Sequence, residues 1–304
     1  LLRNCHILLA AVTSFAATNG AEPVNPNRHY SLKLNSLISP QSQVQGLYLK
    51  ARIDGGPPLR LLLDSGAKYI VLDKRRAASL GRRTGLTLDL VGFGPSLKTA
   101  TQIEAGAVEI GDLTLRGCEI VTIEGRILDG VDGVVPLSLF ARFLLRLDVP
   151  GRTLELDPYP PDALVQDGSY SVARADNNML FLEAGLENSK PENSKPGYML
   201  LDTGASFNAV SAAAAGRWKD YRVLYPVVPL LGGTGATEGF RLPPGVRFHF
   251  GAQVVSADPA VVVDLSNLSN HHGFPIAGVL GYPALLRSVV TIDYRDALVR
   301  FAAR

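Results

Sequence analysis

The sequence is short of the residues that several chemistries need. It has two cysteines in 304 residues, Cys5 and Cys118, so it can build neither a disulfide framework nor a four-ligand zinc site. Lysine and arginine number 30 against 28 aspartates and glutamates. With no excess of positive charge to hold a phosphate backbone, no nucleic-acid partner is expected. After Leu72 no apolar stretch approaches the roughly 18 residues of a transmembrane helix, so no membrane span is expected. Motifs are missing as well. There is no Gly-x-Ser-x-Gly elbow for a serine nucleophile, and no Gly-Lys-Ser/Thr behind the glycines at 232–235 to make a phosphate loop. His271 and His272 lie in a polar stretch without a third ligand at recognisable spacing and are expected to be solvated. Neither a metal nor another cofactor is expected. Cys118, in an apolar strand-like run, reads as a small buried filler and not a nucleophile.

What is present favours strands. Thirty glycines and twenty prolines interrupt runs rich in Val, Leu, Ile and Thr, which predicts many short strands joined by turns and an all-β fold. At the N-terminus Arg3 precedes an apolar run from Ile7 to Ala17, with small residues at Ser14, Ala16 and Ala17. This is the pattern of a secretory signal over residues 1–21, with export to the periplasm or the exterior. Residues 22–44 read equally as an N-terminal strand, a pro-segment or a loose arm.

An internal repeat organises the rest. Leu47–Asp54 (LYLKARID) matches Leu180–Glu187 (LFLEAGLE), both alternating with period two as half-buried strands do. Leu61–Ala67 (LLLDSGA) then matches Met199–Ala205 (MLLDTGA), and Gly133–Leu156 aligns without a gap to Gly278–Phe301. The second copy is longer in its first connection because ENSKP occurs there twice, at 187–191 and 192–196. The repeat predicts two β lobes, 45–160 and 168–304, joined by the proline-rich stretch Asp157–Asp162. Helices are minor: Asp73–Leu80, Ser211–Tyr221 with Ser211 as N-cap, and a turn at Ser138–Phe143.

Each copy carries one apolar-apolar-Asp-Ser/Thr-Gly-Ala turn. Two carboxylates brought together cannot both ionise comfortably, so Asp64 and Asp202 would share a proton, one acting as base toward a water and the other as acid. Ser65 and Thr203 offer short hydroxyls that can pin the turns, and Gly66 and Gly204 permit close backbone approach. A single such tripeptide would be weak, but here two stand at corresponding places in a repeat.

LLLDSGAKYIVL (61–72) and MLLDTGASFNAV (199–210) resemble the active-site turns of aspartic proteases, and Ala67 and Ala205 at the fourth place resemble the retropepsin-like branch. Val279-Leu280-Gly281 is similar to that family's apolar-apolar-Gly element. The resemblance implies two homologous retropepsin-like β lobes in one chain, forming a bilobal pepsin-like aspartic protease fold. It further implies an endopeptidase with Asp64 and Asp202 as catalytic residues, a peptide or protein substrate, no cofactor, and a monomer that forms its own pseudo-dimer. Flap hairpins would fall at Gly92-Phe93-Gly94 and Gly232-Gly233-Thr234-Gly235, with Phe93, Gly94, Gly233 and Thr234 as contacts; ordinary glycine turns are the alternative.

One departure stands out. The first lobe reads Val134-Val135-Pro136 where the second has Val279-Leu280-Gly281, and proline lacks an amide donor. Either the turn tolerates proline or the first lobe packs its aspartate differently. The second case would leave a catalytically inactive peptide-binding protein with the same fold. A glycoside hydrolase using Asp64 and Asp202 is the other rival, separable by the distance between the carboxyls.

Overall fold

In the computed structural model the described residues are 5–6, 11–12, 21–78, 80, 86–91, 98–125, 128–164, 168–186, 197–216, 224–232, 235–250, 253–256 and 258–304. Strands dominate throughout, and no helix among the described residues is long and apolar enough to cross a membrane.

The alternating strand Val44–Ile53 forms an antiparallel hairpin with Leu59–Asp64. Leu59–Asp64 loses that alternation, its last four residues all being buried, because both of its faces are covered: Leu61 and Leu63 pack into one core and Leu62 into another. Its other edge pairs in parallel with Gly133–Pro136, which in turn pairs antiparallel with Ile70–Asp73. The strand Gly133–Pro136 is thus enclosed between the two arms of the chain that turn at Asp64. The second lobe repeats this step for step. Ile276–Gly281 lies in parallel beside Gly197–Asp202 and antiparallel to Asn208–Ser211. The registers agree: Pro136 stands opposite Asp64 and Gly281 opposite Asp202.

The closing hairpins join the lobes. Phe143–Asp148 pairs with Thr153–Pro158, and Ser288–Asp293 with Leu298–Ala303. Their inner strands then pair with each other, Leu145 opposite Ile292 and Arg146 opposite Thr291. Arg146 and Thr291 are equivalent in the repeat, so an approximate two-fold axis passes between them. Leu145, Leu147, Val290 and Ile292 alternate along these strands and are all buried. Burial of each removes about 1.5–3 kcal/mol of unfavourable hydration, which ties the lobes together.

The outer places of this six-stranded sheet are filled by Tyr30–Lys33 on one side and Ser171–Asp176 on the other. Asn35–Ile38 continues onto Val44–Tyr48. The second lobe does both tasks with one strand, since Ser171 and Val172 pair with Val299 and Leu298 while Ala173–Asp176 pairs with Met179–Leu182. Residues 30–38 are therefore sheet strands in the folded chain.

The helices are shorter than the composition suggests. Asp73 ends a strand and caps the helix Lys74–Ala78, its Oδ1 accepting from Arg76 N at 2.8 Å. Ser211 caps Ala212–Ala215, its Oγ accepting from Ala214 N at 3.0 Å. The turn expected at 138–143 is a 3-10 helix, Leu137–Phe140. Two helices escape the sequence reading, Ser266–His272 and Tyr282–Leu285. The first corrects the expectation of solvated histidines: His272 ends a helix and is buried against Phe181 and Phe274. The duplicated ENSKP tract lies outside the described residues.

Candidate active site

Asp64 and Asp202 each end an interior strand, and the two-fold arrangement brings them together with no exposed surface on either. Their turns grip one another. Ser65 Oγ donates to the carbonyl of Leu201 at 2.7 Å and accepts from Thr203 N at 3.0 Å. Reciprocally, Thr203 Oγ1 donates to the carbonyl of Leu63 at 2.8 Å and accepts from Ser65 N at 3.0 Å. Four buried hydrogen bonds thus join residues some 138 apart in sequence. Each strips a donor and an acceptor of water, so losing one partner costs about 1–3 kcal/mol.

Within each turn the inner carboxylate oxygen is fixed by backbone amides. Asp64 Oδ1 accepts from Gly66 N at 2.8 Å; Asp202 Oδ1 accepts from Gly204 N at 3.0 Å and Ala205 N at 2.9 Å. The outer oxygens, Oδ2 of both residues, are buried without a hydrogen-bond partner. The turn glycines are required by close approach: a β-carbon on Gly66 would lie 2.7 Å from Asp202 Cγ, and one on Gly204 2.5 Å from Asp64 Cγ. Ala67 and Ala205 follow as fully buried small residues in the cores of their own lobes.

Both carboxyls hold their protons well above the ordinary carboxylate range. For Asp64 burial is the main cause, and the neighbouring charge of Asp202 adds to it. Asp202 is pushed up to about 7, again by burial, with the amides of Gly204 and Ala205 working in the opposite direction. Because each bears on the other's proton, the pair titrates as a unit and holds one proton between its members after the first is lost.

Pro136 leaves this geometry undisturbed, for a reason that lies in its neighbour. In the second lobe Gly281 N donates to Asn208 Oδ1 at 2.9 Å, and a β-carbon on Gly281 would sit 2.1 Å from the carbonyl oxygen of Phe207. The residue equivalent to Asn208 in the first lobe is Ile70, which is fully buried. The first lobe thus lacks donor and acceptor together, and no buried polar atom is orphaned. The turn tolerates proline because its partner has changed with it. The sequence reading missed Asn208, although the Ile70/Asn208 mismatch between otherwise similar copies marks the place.

Cys118 is buried in Leu113–Ile123, and burial pushes its thiol up to about 12, which keeps it protonated and unreactive. Phe93, Gly94, Gly233 and Thr234, the candidate flap contacts, lie outside the described residues.

Comparison with known proteins agrees with this architecture. Residues 49–138 match the family model described as aspartyl protease. No curated protein matches the chain significantly. Chains of known structure do, among them an aspartic proteinase from Irpex lacteus, which is 13% identical and aligns with a TM-score of 0.56 over 91% of this chain and 97% of its own. At that identity the likeness is one of fold.

Proposed function

We propose that this chain, an all-β bilobal protein with the fold of the aspartic proteases and their family signature over residues 49–138, is an endopeptidase that uses Asp64 and Asp202. The observation that carries the reading is the pair of fully buried carboxyls, each held by its own turn and each leaving one oxygen unpartnered. A β-carbon on either turn glycine would meet the other lobe's carboxyl carbon at 2.7 or 2.5 Å, so the turns abut and each carboxyl bears on the other's proton, as a shared-proton pair requires; a glycosidase holds its carboxyls roughly 5 Å or more apart.

A water bound between the free oxygens would lose its proton to the ionised carboxyl as its oxygen attacks the peptide carbonyl, while the protonated partner gives its proton to the carbonyl oxygen. The resulting tetrahedral diol collapses when the first carboxyl passes its new proton to the amide nitrogen and the C–N bond breaks. The second carboxyl recovers a proton from the diol, so the pair ends with the one proton it began with. The substrate would be an extended peptide or protein segment. Both half-sites come from one chain, so activity should not depend on a second copy, and the apolar N-terminus supports export.

Incubation of the purified protein with a peptide library at several pH values tests the reading. Cleavage is expected, with inhibition by pepstatin and loss in both Asp64→Asn and Asp202→Asn. Full activity in either variant excludes the mechanism. Peptide binding without cleavage at any pH would instead favour the inactive peptide-binding protein.

A further inference from the structure

Lys68 directly follows the Asp64 turn, and its counterpart in the second copy is Ser206. It is only 3% exposed. Its ammonium crosses to the other lobe, where Nζ donates to Asn177 Oδ1 at 3.3 Å. Asn177 and Asn178 form the tight turn between Ser171–Asp176 and Met179–Leu186, with φ of +50° and +65°. Asparagine accepts this left-handed backbone better than most residues.

That turn is held from behind. Asp176 Oδ2 lies 2.5 Å from His272 Nδ1 and also accepts from Asn177 Nδ2 at 3.3 Å. The His272 side chain has no exposed surface and packs on the rings of Phe181, Phe274 and His271. The segment that brings it has no counterpart in the first lobe. From Ile123 to Gly133 the first lobe uses 10 residues; from Val263 to Gly278 the second uses 15, and the helix Ser266–His272 lies in this longer link. The arrangement is therefore one-sided in an otherwise two-fold molecule.

We infer that His272 and Asp176 are positioning residues: by holding the Asn177–Asn178 turn against Lys68 they set where the Asp64 turn sits relative to the second lobe. Without the ring behind it, the Asp176 carboxylate would be free to leave the Asn177 side chain, and the turn would lose the geometry that presents Asn177 Oδ1 to Lys68. The ionisable groups beside His272 are Asp176 from the strand before the turn and His271 from its own helix; burial holds His271 below its usual value, with the charges of His272 and Lys68 adding to this and that of Asp176 opposing it. Arg174 lies beyond, over the ring of Phe274.

The effect on catalysis rests on the protease reading, so the test has two arms. In the kinetic arm, Asn177→Ala and His272→Phe should raise KM about two- to fivefold, the range of a single half-buried charge contact, with less change in kcat. His272→Asn keeps a donor where Nδ1 stands and should restore KM toward the wild-type value. In the thermal arm, the fall in melting temperature caused by Lys68→Met should be smaller in the His272→Phe background, where the turn no longer holds Asn177 against the ammonium, and should be regained in the His272→Asn background. If the wild type cleaves nothing, the protease reading fails and the thermal arm alone decides the contact. An effect of Lys68→Met that is unchanged in the His272→Phe background overturns the inference.

Discussion

Gly204 stands so close to Asp64 that a β-carbon on it would lie 2.5 Å from the carboxyl carbon, and Gly66 stands almost as close to Asp202. Each lobe's glycine is fitted to the other lobe's aspartate. The spacing of the carboxyls is thus a property of both turns together, fixed further by the crossed bonds of Ser65 and Thr203.

It follows that Gly66→Ala and Gly204→Ala should each be damaging, although alanine adds one methyl group. The carboxyl it meets is held by backbone amides and cannot swing away, so strain of about 1–3 kcal/mol is expected. Thermal unfolding should register a lower melting temperature for either variant, and peptide cleavage should fall at least in proportion. Wild-type stability and rate in either variant would mean that the turns can part without cost.

The raised pKa values of the pair make stability depend on pH. Between the ordinary carboxylate value of 3.8 and the raised value, about 7 for Asp202, the folded chain binds more protons than the unfolded one. The stabilisation is therefore complete below the ordinary value and is lost as pH rises through this window. Asp64→Asn and Asp202→Asn each remove one of the two raised groups and so weaken the dependence. Melting temperatures of these variants should gain on the wild type as pH is raised from about 4 to about 7, and a constant difference across that range would contradict the assignment. The rising limb of the activity profile should likewise lie above the ordinary carboxylate range, since it follows loss of the first proton.

Ile70 and Pro136 should behave as one unit. Pro136→Gly alone places a buried amide opposite an isoleucine, leaving a donor unmatched at about 1–3 kcal/mol. Adding Ile70→Asn supplies the acceptor that Asn208 provides in the second lobe. The double variant is expected to melt above the Pro136→Gly single variant. If it melts lower, the two lobes do not solve this contact in interchangeable ways.

Residues 30–38 should be indispensable to the folded protein. Removal of residues 1–20 leaves every pairing of Tyr30–Lys33 and Asn35–Ile38 intact, and the shortened chain is expected to fold. Removal of residues 1–44 strips the outer strand from the sheet that joins the lobes and exposes the edge at Thr153–Leu156. That product should be insoluble or lose cooperative unfolding, as read by circular dichroism and gel filtration. A stable, monomeric chain beginning at residue 45 would show that these strands are an ornament of the sheet.

The sequence by itself determined the two-lobed β architecture and the residues of both aspartate turns. Those signals are local: period-two alternation, an Asp-Ser/Thr-Gly-Ala string, and a repeat that needs only comparison of the chain with itself. Tertiary structure alone decided the rest. Whether residues 22–44 were strand or loose arm depended on a free edge more than 100 residues away. Whether Pro136 was tolerated depended on Ile70, and whether His272 was solvated depended on Phe181, Phe274 and Asp176. In each case the deciding contact joins residues far apart in the chain, and composition and periodicity carry no record of which distant partner a residue will meet.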